Sequence, residues 1–399
     1  MNTITLKDVF DSISETYNFT GRKVIFLNTG DISRGQILHS NYKDPNILPG
    51  QAKKSIKTND ILFSEIRPKN GRYALLNNTD YSDYVVSTKL MVLRKKRNDI
   101  DLDYIYLYLT SPDVIQRLQQ IAEARSGTFP QITYDELDQI ELKLIEKKEQ
   151  KKIASRIKFF DQKIELNQKI NDTLEEMGQL LFRHWFVDFE FPWDFKKNEF
   201  SWNSKPYKSS GGEMVDSELG QIPKGWGVDG VLKIIEKLSI PYKCVKSDLN
   251  KNGNTPILDQ GDSGLYGHTT RKPDFFASTE KPVVIFTNHT CNFWFVDYSF
   301  CAIQNVIPLR GKSGYDEFFI YYFVNKSISF SEYKGHWPEF EAKNFVIPPS
   351  EISNKFSNIS KSLLLNITFN KRQNKILSEI RDLLLPRLMS GKLRIPIKK

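Results

Sequence analysis

The side chains best suited to nucleophilic or metal chemistry are few in this 399-residue chain and lie far apart: His39, His184, His268, His289 and His336, with Cys244, Cys291 and Cys301. Cys291 and His289 are close enough to suggest a Cys-His nucleophilic pair. Residues two apart on a strand share a face without any catalytic need, so that pairing carries little. Glu65 sits near Arg67 and Lys69 as a nuclease carboxylate would, but no second acid lies at a telling distance, and an ion pair or a DNA contact suits it better. The chain has no G-x-x-x-x-G-K-[ST] nucleotide loop, no H-E-x-x-H pair and no Asn-Pro-Pro-Tyr type sequence to hold an amine for methyl transfer. An odd number of cysteines without close spacing argues against a disulfide framework and against a Cys-rich zinc site. Three separate buried or half-buried thiols are expected, with no metal and no cofactor in the chain.

Binding has stronger support. The chain carries a net charge of +9 and a pI near 9.1, a balance that suits a polyanion. Arg67, Lys69 and Arg72 occupy a Pro/Gly loop directly after a strand-like run. Arg22, Lys23, Arg34, Lys53 and Lys54 lie in similar places. In the second half His268, Arg271 and Lys272 form a compact group, and Asn288, His289 and Asn292 stand where the first half has its Arg/Lys loop. Two Gly-x-aromatic-Pro turns add Arg125 and Thr128 in one half and Lys334 and His336 in the other. Cations of this kind meet phosphates anywhere on a backbone, whereas forked donors such as Arg and Asn can read base edges. Surface solvation is the plain alternative for each lysine.

The elements that must position these groups follow from periodicity. Val24–Leu27, Asp60–Phe63 and Lys89–Leu93 read as strands, and Leu102–Leu109 and Asp113–Ile121 as helices, giving a mixed α/β domain over residues 1–145. Residues 146–185 then read as one long helix whose seam is Ile153, Ile157, Phe160, Ile164, Ile170, Leu174, Met177 and Leu181, with an irregular step after Asn167. Taken from Gln150 to Leu181 it measures roughly 48 Å. A polar rod with a narrow apolar seam wants one partner helix. Residues 186–218, with Ser209-Ser210-Gly211-Gly212, read as a linker. A second domain is expected over 219–348, a second long helix over 349–391 with seam residues Phe356, Ile359, Leu363, Ile367, Leu377, Ile380 and Leu384, and a tail over 392–399. No run approaches a membrane span, and the start lacks a basic stretch before an apolar one, so a cytoplasmic protein without a membrane partner is expected.

The two halves match. Asn167 to Leu181 aligns with Asn370 to Leu384, sharing Asn, Asn, Leu, Glu, Leu and Leu at the same relative positions. Upstream, Gly127-Thr128-Phe129-Pro130 answers Gly335-His336-Trp337-Pro338. Tyr104–Leu109 answers Phe318–Phe323, Val86–Arg94 answers Ala302–Arg310, and Asp60–Ser64 answers Val283–Thr287. The separations fall in order along the chain, from 223 to 216, 214, 208 and 203 residues, as loop losses in a second copy would produce. If the long helices pack antiparallel, they form a spacer between two similar domains.

These features together resemble the DNA-sequence specificity subunit of type I restriction-modification enzymes. The marks are Leu219-Gly220-Gln221-Ile222-Pro223-Lys224-Gly225-Trp226, the paired Gly-x-aromatic-Pro turns, the repeated helices and the closing Leu384-Leu385-Pro386-Arg387-Leu388-Met389-Ser390-Gly391-Lys392-Leu393. The resemblance implies an α/β (α+β) fold: two target recognition domains, an antiparallel coiled coil of two long helices, and a pseudo-two-fold repeat. It implies a non-catalytic subunit that binds a bipartite, asymmetric double-stranded DNA sequence. The seams would also dock two copies of a modification methyltransferase subunit using S-adenosylmethionine, and restriction endonuclease/translocase subunits using ATP and Mg would complete the assembly. A stand-alone DNA-modifying or DNA-cleaving enzyme and a coiled-coil interaction scaffold remain the alternatives.

Overall fold

A computed structural model describes residues 3–77, 80–124, 129–261, 264–332, 334–389 and 391–394. Its α-helices are α1 (Leu102–Leu109), α2 (Pro112–Ala124), α3 (Tyr134–Leu137), α4 (Lys147–Phe186), α5 (Glu317–Val324), α6 (Trp337–Glu341) and α7 (Ser350–Met389). The chain divides into two units, one holding residues 1–165 and 374–399, the other 166–373, so that each long helix belongs partly to each.

In the first unit, the run Asp60–Ser64 is buried throughout, as a strand covered on both faces requires. It lies in a four-stranded antiparallel sheet ordered Phe10–Ile13, Leu90–Lys95, Asp60–Ser64, Tyr73–Leu75. Alternation sends Ile61 and Phe63 toward α1, α2 and the ends of the long helices, while Leu62 faces a second sheet. That second sheet runs Tyr42–Lys43, Val24–Leu27, Tyr84–Ser87, Ala52–Ser55, with a parallel pair at its centre. Asp60 is itself buried, and the Arg94 guanidinium grips both of its oxygens at 2.8 Å. A carboxylate tolerates such a place only when bidentate pairing replaces its water.

The second unit repeats this order. Ile235–Lys237, Val306–Gly311, Val283–Thr287 and Phe293–Val296 form the antiparallel sheet, and Leu265–Thr269, Thr255–Leu258 and Cys301–Ala302 the second, again with a parallel pair. Val284 and Phe286 face α5 and the long helices; Val283 and Ile285 face the other sheet. The Asp101 carboxylate accepts from the Tyr104 amide to cap α1, and Asp316 caps α5 through Phe318 and Phe319. Each cap is tied to a long helix: the Asp101 amide donates to the Gln150 side chain of α4, and the Ser357 hydroxyl of α7 to Asp316. Among the described residues the second unit has no counterpart of α2 between α5 and α6, which accounts for the fall in separation from 214 to 208 between the halves.

Residues 186–218 are folded rather than a free linker. Phe191 stacks on Tyr207 at 4.7 Å and on Trp226 at 5.4 Å, within the core of the second unit. A Cβ on Gly212 would lie 2.4 Å from the Tyr207 ring. The glycine pair is a turn beneath an aromatic cluster, and its composition resembles a linker because close approach also requires small residues.

The long helices correct the expected seam. Ile153, Ile157, Phe160, Ile164, Asn167, Asn171, Leu174, Gly178, Leu181 and Trp185 of α4 are buried or half-buried at alternating steps of four and three. Phe356, Ser360, Leu363, Ile367, Asn370, Asn374, Leu377, Arg381, Leu384 and Leu388 follow the same rhythm in α7. The second set repeats the first at 203 residues throughout. Ile170, Met177 and Ile380, expected in the seam, are exposed. Their places are taken by Asn171, Gly178 and Arg381, because the seven-residue period outweighs side-chain polarity. Ile359 is half-buried beside the seam position of Ser360. There is no irregular step.

Pairing is antiparallel in each unit. In the second unit Asn167 donates to Gln373 at 2.7 Å and Asn370 to Asn171 at 2.9 Å. In the first, Asn374 donates to the Ile164 carbonyl at 3.4 Å and Arg381 to Asp161 at 2.6 Å. Gly178 admits the Tyr322 ring of α5, whose hydroxyl would lie 2.2 Å from a Cβ there. Each helix spans 40 residues, roughly 60 Å at the usual rise.

Candidate nucleic-acid interface

In the first unit the loop after the Asp60–Ser64 strand gathers residues from distant parts of the sequence. Arg67 adopts a left-handed backbone at φ 45° and starts the single turn Pro68–Asn70. Its amide donates to the Pro130 carbonyl at 3.0 Å, and its guanidinium lies 5.8 Å from the Phe129 ring, a cation–π contact. The Lys69 amide donates to the Gln119 side chain of α2 at 3.1 Å, and the Arg72 guanidinium to the Thr29 hydroxyl at 3.1 Å. The Arg34 amide donates to the Gly71 carbonyl at 2.7 Å. Its side chain fills the space a Cβ on Gly71 would need, 2.9 Å away. Arg34, Arg67 and Lys69 are exposed on this one loop assembly and Arg72 is half-buried in it. Arg22 and Lys23 are exposed just before the Val24–Leu27 strand, and Lys53 is exposed on the edge strand Ala52–Ser55, away from that loop in the topology.

The second unit builds an equivalent junction from other residues. After the Val283–Thr287 strand, Asn288 accepts the His336 amide on its carbonyl at 2.9 Å and the Trp337 amide on Oδ1 at 2.9 Å. A Cβ on Gly335 would meet the Asn288 side-chain amide at 2.9 Å, so any other residue there would have to displace that amide. The His289 amide donates to the Gln260 side chain at 3.2 Å, and Asn292 is exposed at the end of the loop. His268 is half-buried on the Leu265–Thr269 strand, and Arg271 and Lys272 are exposed just beyond it. Arg271 stacks over the Tyr242 ring at 3.7 Å. In both units, then, the loop after the central strand is fastened to the Gly-x-aromatic-Pro turn.

Residues 1–176 match the type I restriction modification DNA specificity domain. The type I restriction enzyme HindI specificity subunit of Haemophilus influenzae is 46% identical over 187 residues, covering 47% of this chain and 40% of that protein. The MjaIX specificity subunit of Methanocaldococcus jannaschii is 26% identical over 73% of this chain and 69% of its own length. Over this first part the chain is similar to the type I restriction-modification specificity subunits. The match to the Haemophilus relative thus spans less than half of that protein. The crystal structure of a type I restriction-modification system S subunit from M. genitalium has the same fold: TM-score 0.55 at 15% identity, covering 97% of this chain and 96% of that one.

Three expected DNA contacts are engaged elsewhere. Lys54 turns inward to the Thr88 and Leu90 carbonyls at 3.2 and 2.9 Å, and burial lowers its pKa. Lys334 pairs with Glu339 at 2.6 Å and with Glu332 at 2.9 Å, which raises its pKa. His336 is wholly buried, with Nδ1 2.9 Å from Glu339 and Nε2 3.0 Å from the Glu332 carbonyl. A Lys or His in a loop reads alike in sequence whether it faces solvent or staples a turn. Arg125 and Thr128 lie outside the described residues. Sequence reasoning missed Gln119 and Gln260, which hold the loops, and placed Asn288 in its loop without that holding role; only contact across long separations reveals amides in that role. It also read the cysteines as three separate thiols. All three are buried, yet Cys244 and Cys301 converge.

Proposed function

We propose that the chain is the non-catalytic subunit that binds a bipartite, asymmetric double-stranded DNA sequence, each unit reading one half. The observation that carries this is the paired junction: both units fasten a loop to a repeated turn, yet one loop presents Arg67, Lys69 and Arg72 and the other His289 and Asn292. Conserved framing with different side chains is what two different half-sites require. Arg34, Arg67 and Arg72 offer forked donors for base edges; Arg22, Lys23, Lys53, Lys69, Arg271 and Lys272 suit phosphates.

The helices bear a second repeated feature. Leu166, Met177 and Leu180 of α4 are exposed, and so are Phe369, Ile380 and Leu383 of α7, their equivalents 203 residues on. Two copies of one apolar surface fit two copies of one partner. We assign them to two modification methyltransferase subunits carrying S-adenosylmethionine, with restriction subunits using ATP and Mg joining the assembly.

Mixing the chain with the modification subunit and S-adenosylmethionine on random-sequence DNA tests the reading. A single methylated bipartite motif that disappears without this chain is expected. Methylation of the same sites in its absence would overturn it.

A further inference from the structure

We propose that Cys244, Asp274 and Cys301 of the second unit form a Zn²⁺ site. Their three ligand atoms all lie within 4.8 Å of one another, although 30 and 27 residues separate them in order along the chain. Backbone pairing fixes that convergence. The Cys244 amide donates to the Ala302 carbonyl at 3.0 Å, beside Cys301, and Phe275 and Phe300, the neighbours of Asp274 and Cys301, exchange two hydrogen bonds at 3.0 Å.

Without a cation the cluster is poorly satisfied. Asp274 Oδ1 is 3.9 Å from Arg271, but Oδ2 is buried and lacks a hydrogen-bond partner. A carboxylate oxygen removed from water without a donor is unfavourable. Cysteine binds a metal as its thiolate, so a bound cation must displace the thiol protons. Binding converts Zn²⁺, two thiols and one carboxylate into a complex of net charge −1 and two released protons. It satisfies the orphaned oxygen and replaces neutral thiols with thiolates held by the metal. Two sulfur donors select Zn²⁺ over Mg²⁺ or Ca²⁺. The Lys272 carbonyl, which accepts from Cys301 Sγ at 3.5 Å, stands beside the three ligands.

The site would cross-link three segments around Arg271. The Tyr242 ring beneath that guanidinium donates its hydroxyl to Asp248 at 3.2 Å, on the same stretch as Cys244. Metal would therefore hold the basic turn against its aromatic support.

The full chain, purified in its complex under reducing conditions and stripped of metal, is titrated with Co²⁺ as a spectroscopic probe. A thiolate-to-cobalt charge-transfer band and tetrahedral d–d absorption are expected, abolished by Cys244→Ser and by Cys301→Ser, weakened by Asp274→Asn, retained in Cys291→Ser and bleached by Zn²⁺. X-ray absorption on the zinc-loaded unsubstituted complex, compared with the complex lacking this chain, does not depend on variant folding and should add a shell of two sulfurs. A spectrum unaffected by Cys301→Ser, an added shell of oxygen and nitrogen alone, or a Cys244–Cys301 disulfide under native conditions would overturn the proposal.

Discussion

The Arg67 amide donates to the Pro130 carbonyl at 3.0 Å, joining the loop after the central strand of the first unit to the turn 63 residues further on. This bond fixes where the Arg67 guanidinium starts, and the left-handed backbone fixes its direction. Replacing Arg67 by Ala is expected to relax preference within the first half-site by ~1–3 kcal/mol while leaving the second half-site unchanged. Selection from random DNA reads this directly, and an equal loss across all sequences would instead mark a phosphate contact.

Lys54 and Lys334 provide the contrasting case. Since their ammonium groups are held by carbonyls and carboxylates, Lys334→Gln should leave DNA affinity and its salt dependence unchanged. Lys53→Gln, at an exposed position, should reduce the slope of log affinity against log salt by about one. A matching slope change in both variants would show that Lys334 leaves its carboxylates to meet DNA.

Asn171 and Asn370 form a polar layer inside the helix pair of the second unit. Asn171→Leu strands the Asn370 amide and should cost ~1–3 kcal/mol. Adding Asn370→Leu removes the stranded group and should restore most of that loss. Urea unfolding of the two single variants and the double measures the coupling, and simple additivity would count against a shared bond.

The turn around Glu339 should loosen in acid. Hydrogen bonds from Lys334 and then His336 lower the Glu339 pKa below its ordinary 4.5. A depressed carboxylate contributes stability above the unfolded value, and that contribution is lost as the pH falls through the folded one. Amides around 336–341 should therefore exchange faster, as the pH falls below the ordinary 4.5, than the intrinsic rate change explains, with Glu339→Gln abolishing the difference.

Removing one matched heptad from α4 and α7 preserves the seam and shortens each helix by roughly 10 Å. The methylated motif should then lose about three base pairs from its gap. An unchanged gap at full activity would disprove a spacer role for the helices.

Much of this architecture was legible because it rests on periodicity. Fully apolar runs such as Val283–Phe286, the helical rhythm from Lys147, and the ordered matches between halves are local patterns that chain physics converts directly into strands, helices and duplication. The resemblance to specificity subunits rests on the same repeated segments. Sequence also placed Arg67, Lys69 and Arg72 in one loop, since they are neighbours along the chain.

Tertiary structure alone decided which polar groups face solvent and which are used inside. It seated Asn171, Gly178 and Arg381 in the seam and exposed Ile170, Met177 and Ile380, because helix phase is set by the partner helix rather than by each residue's hydrophobicity. Likewise it turned Lys54 and His336 inward, folded 186–218 under aromatic rings, and brought Cys244, Asp274 and Cys301 together. Those outcomes depend on contacts between residues tens of positions apart, and sequence spacing does not encode such contacts.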